Sequence, residues 1–311
     1  QMRASLIVLT VILFIGVSSS VSLGDGLWRT FNLALLGAAP ALPLTVHEAE
    51  EANWQKMDGV DCDANLGIRY AYKGSGPSKS TPLTIYFTAG GQVAGVGVNL
   101  YGAGSAPQNL IDLGFWIPIE GEKNQWMLSV SFRQPSDMCS HTTVDEVIGD
   151  RLVINQNTLS YSLPLTAAEA FCNNWTYGSC MTTMGQHWFY DVSGAPDLTW
   201  NSANLLPVVT MYYPPNINGT INAFFFTTPV AQPGSDYLLH KPGDWETPDL
   251  SPSQMCENFC NSTCTWPGVD DWSTMHIYLN SQWSYITCDG GHGLLSIYCP
   301  TNDSSMITQC Q

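Results

Sequence analysis

Ten cysteines constrain this chain more than any other feature: Cys62, Cys139, Cys172, Cys180, Cys256, Cys260, Cys264, Cys288, Cys299 and Cys310, six of them inside residues 256–310. The sequence also opens on an export-like leader. Arg3 supplies a positive start, Leu6 to Val17 is an apolar run of twelve residues, and Ser18, Ser20 and Ser22 are small enough for signal-peptidase cleavage. A signal peptide is therefore expected over residues 1–22. The run is shorter than the roughly 20 residues a membrane span needs. The next apolar stretch, Leu33 to Leu44, is interrupted by Gly37, Pro40 and Pro43. No membrane span is expected after cleavage, and the even cysteine count reads as up to five disulfides in a secreted, extracellular protein.

Spacing suggests Cys62 with Cys139 and Cys172 with Cys180 as the natural pairs of the main body. The six cysteines of the tail allow fifteen pairings, and sequence does not choose among them. Four sequons fit the same export route, at Asn174, Asn218, Asn261 and Asn302, so a glycoprotein is expected.

Charge narrows the partners. With 26 acidic against 10 basic residues, the net charge of −16 repels nucleic acid and anionic membrane surfaces. A charged content of only 12% beside 11% aromatics points to a packed body and not to a disordered acidic tail.

Along the chain the pattern is dominated by strands. GIRYAYKG, PLTIYFTAGG, QVAGVGVNLYG, LGFWIPI, QWMLSVSFRQ and RLVINQ follow one another between residues 66 and 156, rich in β-branched and aromatic residues and separated by Gly, Pro, Asn or Asp. QHWFYDV, NLLPVVTMYY and TINAFFFTTP continue it. Two short helices are expected where Thr45-Val-His-Glu48 and Thr166-Ala-Ala-Glu169 match the capping box. Gly90, Gly91, Gly95 and Gly97 mark a bulge or a close backbone approach.

The fold class expected is all-β dominated, an antiparallel sandwich or barrel with one or two short helices, plus a small disulfide-rich C-terminal module. The divisions are a main domain over 23–230, a Pro-, Asp- and Gly-rich linker or long loop over 231–254, and the cysteine-rich module over 255–311. A unit that small has little core and needs covalent staples.

The densest cluster of chemically capable side chains runs from Gly178 to Asp191, GSCMTTMGQHWFYD. On a strand, His187, Phe189 and Asp191 share one face, and Trp188 and Tyr190 the other. Asp191 is placed to orient the His187 imidazole, as acid–base and metal sites both require. Together with Trp188, Phe189 and Tyr190 this describes an aromatic-lined ligand pocket. Met184 and Met181 are soft donors, so copper on His187 and Met184 is the metal to consider. A core strand with one hydrogen-bonded histidine accounts for the same residues.

Other chemistries are weaker in the sequence. His47 begins HEAEE, which lacks the second histidine of a zincin motif, and His141 lies beside Cys139. There is no Gly-x-Ser-x-Gly elbow. The carboxylates Asp112, Glu120, Glu122, Asp145, Glu146, Asp191, Asp270 and Asp271 are candidates for a hydrolase, yet nothing pairs them.

Three functions fit: an oxidase or oxygenase acting on a small aromatic molecule at His187, of which a secreted luciferase is one concrete case, a non-enzymatic carbohydrate- or protein-binding glycoprotein, and a carboxylate-dependent hydrolase. The partner in each is a small molecule or a glycan.

Overall fold

The structure is a computed structural model that describes residues 28, 30–34, 41–57, 61–72, 82–145, 147–156, 159–193, 204–213, 219–230, 232, 245, 273–280, 286–288, 296–297 and 307–308. The expected signal peptide, Glu146, Asp270, Asp271, His240, His292, the sequons at Asn218, Asn261 and Asn302, and Cys256, Cys260, Cys264, Cys299 and Cys310 lie outside these residues.

The chain is strand-dominated, as its turn chemistry and β-branched runs predict. One sheet is built from β2 (Trp54–Lys56), β3 (Ile68–Tyr72), β4 (Leu83–Phe87), β5 (Val93–Tyr101), β7 (Gln125–Ser131), β8 (Leu152–Gln156) and β9 (Leu159–Leu163), in that order, with β6 (Ile117–Pro118) added along β7. The other has the order β1 (Asn32–Ala34), β14 (Ser273–Tyr278), β13 (Ile221–Thr228), β12 (Val208–Tyr212), β11 (Gly185–Phe189) and β10 (Thr176–Met181). All pairings in both are antiparallel. A two-stranded ribbon, β15 (Ser296–Ile297) with β16 (Ile307–Thr308), stands apart in the pairing.

One apolar core joins the two large sheets. Alternation aims Ile85, Val96, Val98, Leu128, Val130 and Ile154 inward from one sheet, and Trp188, Val208, Phe224, Phe226, Met275 and Ile277 from the other. Phe132 meets Phe224 edge-on across the gap, ring centroids 6.4 Å apart. The layers form a sandwich, stitched at one edge where the Tyr212 hydroxyl donates to the Pro164 carbonyl at 2.7 Å. Strands β12, β13 and β14 are buried on both faces. That explains why INAFFFTT carries apolar residues without alternation.

Among the described residues, four short helices decorate the sheets, two more than the capping signatures predict: α1 (Val46–Glu51), α2 (Gln108–Asp112), α3 (Pro135–Met138) and α4 (Ala167–Cys172). Thr45 caps α1 by accepting from the Glu48 amide, and Thr166 with Glu169 completes a reciprocal capping box on α4. Neither α2 nor α3 has a side-chain cap. Each is about one turn long and held by its surroundings, so no cap or periodicity announces it. LGFWIPI contributes only the two residues of β6, because residues 113–116 form the turn that follows α2.

The expected glycine role is realised on β5. Gly95 and Gly97 lie opposite Tyr86 and Thr84 of β4, and the Tyr86 ring lies over them. A Cβ on Gly97 would sit 2.1 Å from the Tyr86 hydroxyl oxygen, which is hydrogen-bonded at 2.8 Å to the Ser129 hydroxyl. Burial pushes the Tyr86 phenol up to about 12, so it stays neutral. Gly97→Ala is expected to destabilise the fold by about 2 kcal/mol through overpacking. The Tyr86→Ala background should recover part of that loss in a double-mutant cycle; strictly additive losses in urea denaturation would show that the two residues do not compete for this space.

Disulfide chemistry confirms one expected pair and corrects the other. Cys62 is bonded to Cys139. Cys180 is bonded to Cys288 and not to Cys172. Spacing of eight residues made the latter look natural, but β10 carries Cys180 away from the end of α4 and toward residues 286–288. Cys172 is itself disulfide-bonded. The compositional boundary at residue 255 does not coincide with an edge of the sandwich: β14 comes from beyond it and lies between β1 and β13.

Candidate functional site

The segment singled out by its histidine folds as a hairpin, β10 to β11. Its turn places Thr183 and Gly185 in the left-handed region, φ 72° and 102°. Gly185 is required there, because a Cβ would lie 2.5 Å from the Tyr212 carbonyl oxygen. The Thr183 amide donates to the Ile286 carbonyl at 2.9 Å, and the neighbouring Cys180–Cys288 bond fastens the same hairpin covalently.

The face alternation holds. Trp188 enters the shared core, and Tyr190 packs against it, 5.4 Å from the Trp175 ring and 5.7 Å from Tyr161. His187 and Phe189 lie on the opposite face, in a second apolar cluster with Val209, Met211, Ala223, Phe225 and Tyr278. Met184 and Met181 border that cluster.

His187 is 2% exposed. Its Nδ1 faces two carbonyl oxygens, Ser179 at 3.0 Å and Gly185 at 3.1 Å. Carbonyls only accept, so Nδ1 carries the proton and the lone pair is on Nε2. The register shift between Tyr177 and Cys180 brings the Ser179 carbonyl to the ring. Burial pushes the imidazole down to about 4, with electrostatic interaction with the His276 ring acting in the same direction against the two carbonyls. The ring is therefore a neutral donor at physiological pH.

The structure does not join Asp191 to His187. Strand β11 ends at Phe189, and Asp191 bridges to Leu205. Its Oδ1 accepts from the Ser193 amide at 2.8 Å and the Ser193 hydroxyl at 2.6 Å, closing an Asx turn. What the fold brings toward His187 instead is His276 of β14, with Phe225 between them: ring centroids are 5.7 Å from Phe225 to His187 and 4.6 Å from Phe225 to His276. No sequence spacing links residues 187 and 276; two intervening strands do. Among the described residues, no group of three or more His, Cys, Asp or Glu side chains is arranged to hold a metal ion.

Among the described residues, no bond joins two of the candidate carboxylates. Asp112 accepts from Gln108, Glu122 from Gln125, and Asp145 from Arg133 and Thr143. His141 pairs with Asp145 at 3.2 Å, and His47 with Glu51 at 3.4 Å on α1. The one described sequon asparagine, Asn174, is exposed, in the left-handed region just after α4.

A concavity that the sequence reading did not single out lies on the outer face of the larger sheet. It measures about 200 Å³ and is lined by Met57, Arg69, Thr84, Asn99, Pro118, Ile119, Glu120 and Met127. Strand order explains its walls. Arg69 on β3 forms one side, Thr84 and Asn99 on β4 and β5 form a buried polar floor, Met127 on β7 follows, and the residues at and after β6 form the far side. Register fixes the shared face: Arg69 is opposite Tyr86, Thr84 opposite Gly97, and Asn99 opposite Met127. Among the described residues, the Arg69 guanidinium has no ion pair or hydrogen bond, and neither has the Glu120 carboxylate. Arg69 had one sequence signal, a cation inside an apolar strand of a strongly acidic chain.

Comparison with protein-family models, with curated proteins and with solved structures finds no match to this chain.

Proposed function

We propose that this chain is a secreted, disulfide-bonded glycoprotein that binds a small molecule in the concavity beside Arg69. The observation that carries the reading is the half-buried guanidinium, without an ion pair or hydrogen bond to any described residue, over a floor of hydrogen-bonding side chains, Thr84 and Asn99. Small-molecule sites likewise combine apolar walls, here Met57, Pro118, Ile119 and Met127, with a few placed polar groups. Two disulfides, and the lack among the described residues of any helix long and apolar enough to cross a membrane, accord with the extracellular setting.

A His187-centred oxidase or oxygenase, with copper as the metal, is the second reading. It is favoured by two histidines on one sheet face with Met181 and Met184 at the margin. It is weakened by the commitment of Nδ1 to carbonyls and by the packed rings around it. A hydrolase has no observation in its favour: among the described residues, no bond pairs two candidate carboxylates.

The deciding experiment uses protein secreted from a eukaryotic host. A small-molecule library is screened by thermal shift against the wild type and Arg69→Ala. A ligand at one hundred times its Kd stabilises by about 2.7 kcal/mol, and that gain is expected to vanish in the variant. Elemental analysis of the same material separates the second reading: stoichiometric copper lost in His187→Ala, with no Arg69-dependent ligand, would overturn the binding proposal.

A further inference from the structure

The chemistry of the ligand follows from how Arg69 differs from the other arginines. Of the three arginines among the described residues, Arg133 meets the Asp145 carboxylate and Arg151 meets Asp150. Arg69 meets no carboxylate and no hydrogen-bond acceptor among those residues, although the chain carries 26 acidic residues against 10 basic ones. The groups beside it are neutral or already bonded. Tyr86 stands directly opposite on β4. Burial pushes its phenol up to about 12, so it supplies no counter-charge. Asp63, whose charge also acts on Tyr86, commits Oδ1 to the amides of Asn65 and Leu66. A half-buried cation without a counter-charge is costly, and a bound anion offsets that cost.

Register supplies a second donor. Ala71 is opposite Thr84, so Thr84 lies on the Arg69 face one diagonal step away, about 7–8 Å between backbones, which an arginine side chain spans. Thr84 is buried, and its hydroxyl has no bond among the described residues. Met57 lies beside Arg69 on the other side, its amide donating to the Arg69 carbonyl at 2.9 Å, and it too lines the recess. Glu120 is exposed, and β4, β5 and β7 lie between its side of the recess and β3, so it takes no part at this end. We propose that the Arg69 end of the concavity binds a small organic monocarboxylate with an apolar body. The guanidinium takes the carboxylate through two parallel hydrogen bonds, because its planar fork matches two coplanar oxygens. The Thr84 hydroxyl donates a third, and the apolar body lies against Met57. Charge makes the same selection: one cation balances one negative charge, and a net charge of −16 repels anions that carry more.

The inference rests on the binding reading above, and its test separates the two. Titration calorimetry on the secreted full chain uses monocarboxylates (acetate, hexanoate, benzoate), the neutral amides of the two larger acids (hexanamide, benzamide), and the inorganic anions sulfate and phosphate. Hexanoate or benzoate is expected to bind saturably, about 10-fold or more tighter than its amide, than acetate, and than either inorganic anion. Arg69→Met should weaken that acid about 10-fold or more, and Thr84→Val about 5-fold. Arg69→Lys keeps the charge without the fork and should fall between wild type and Arg69→Met. Circular dichroism should show all three variants folded, since neither side chain supports the fold through a bond to a described residue. Preference for sulfate, phosphate or an amide, still lost in Arg69→Met, would overturn the monocarboxylate and keep the binding site. Binding of no probe, or binding untouched by Arg69→Met, would also overturn the monocarboxylate; only the library screen failing as well would remove the binding reading.

Discussion

Replacing Cys62 and Cys139 together by serine is expected to lower the unfolding free energy by about 4 kcal/mol, from the chain entropy returned to the unfolded state. The bond closes a loop of 77 residues that contains β3 to β7, and no other described disulfide crosses that loop. Urea denaturation at fixed pH measures the loss. The slope of free energy against urea should also rise, because an unclosed unfolded chain exposes more surface. The pair Cys180 and Cys288 makes a useful comparison. It spans 108 residues. Loop-closure entropy grows only slowly with length, so its removal should cost about as much, within about 0.5 kcal/mol. Losses for the two pairs that differ by about 2 kcal/mol or more would show that loop closure is not what these bonds contribute.

Acid should act on the fold through His187. In the unfolded chain the imidazole titrates near 6.5; in the folded chain burial and His276 hold it at about 4. The unfolded state thus takes up the proton first. The stability gained from keeping the ring neutral is fully present above pH 6.5 and is lost as pH falls from 6.5 to 4. At 1.36 kcal/mol per unit, the total is about 3 kcal/mol, of which about 2 kcal/mol is gone by pH 5. His187→Asn retains a donor near the position of Nδ1 but cannot titrate. Its stability should therefore be nearly flat between pH 7 and 5, where the wild type declines. Parallel curves for the two proteins over that window would assign the acid sensitivity to other groups. Exposed carboxylates act lower, below about pH 4, and affect both proteins alike.

Local signals were legible in the sequence where one element decides its own structure. Thr45 with Glu48 and Thr166 with Glu169 announce helix starts because the capping bonds form within four residues. Turn residues and β-branched runs locate β3, β4, β5, β7, β8, β11, β12 and β13. The three-residue strands β1 and β2 and the helices α2 and α3 lack such signals, since each is held by a neighbour and not by its own pattern. The opposite faces of the His187 strand followed from the two-residue period, but the partners of its side chains did not. Asp191 was near enough in sequence to suggest a dyad, and a Ser193 turn claims it instead.

The sequence by itself determined that this chain would be a covalently stapled, strand-rich, acidic body, because composition, strand periodicity and turn residues act over a few neighbours. Only the tertiary structure decided which strands became adjacent. That choice placed His276 across Phe225 from His187, drew β14 from the cysteine-rich tail into the sandwich, bonded Cys180 to Cys288, and set Arg69 at one concavity with Thr84 and Asn99. These are contacts between residues far apart in the chain. They depend on how two sheets bury one shared apolar core, and no local pattern encodes that packing.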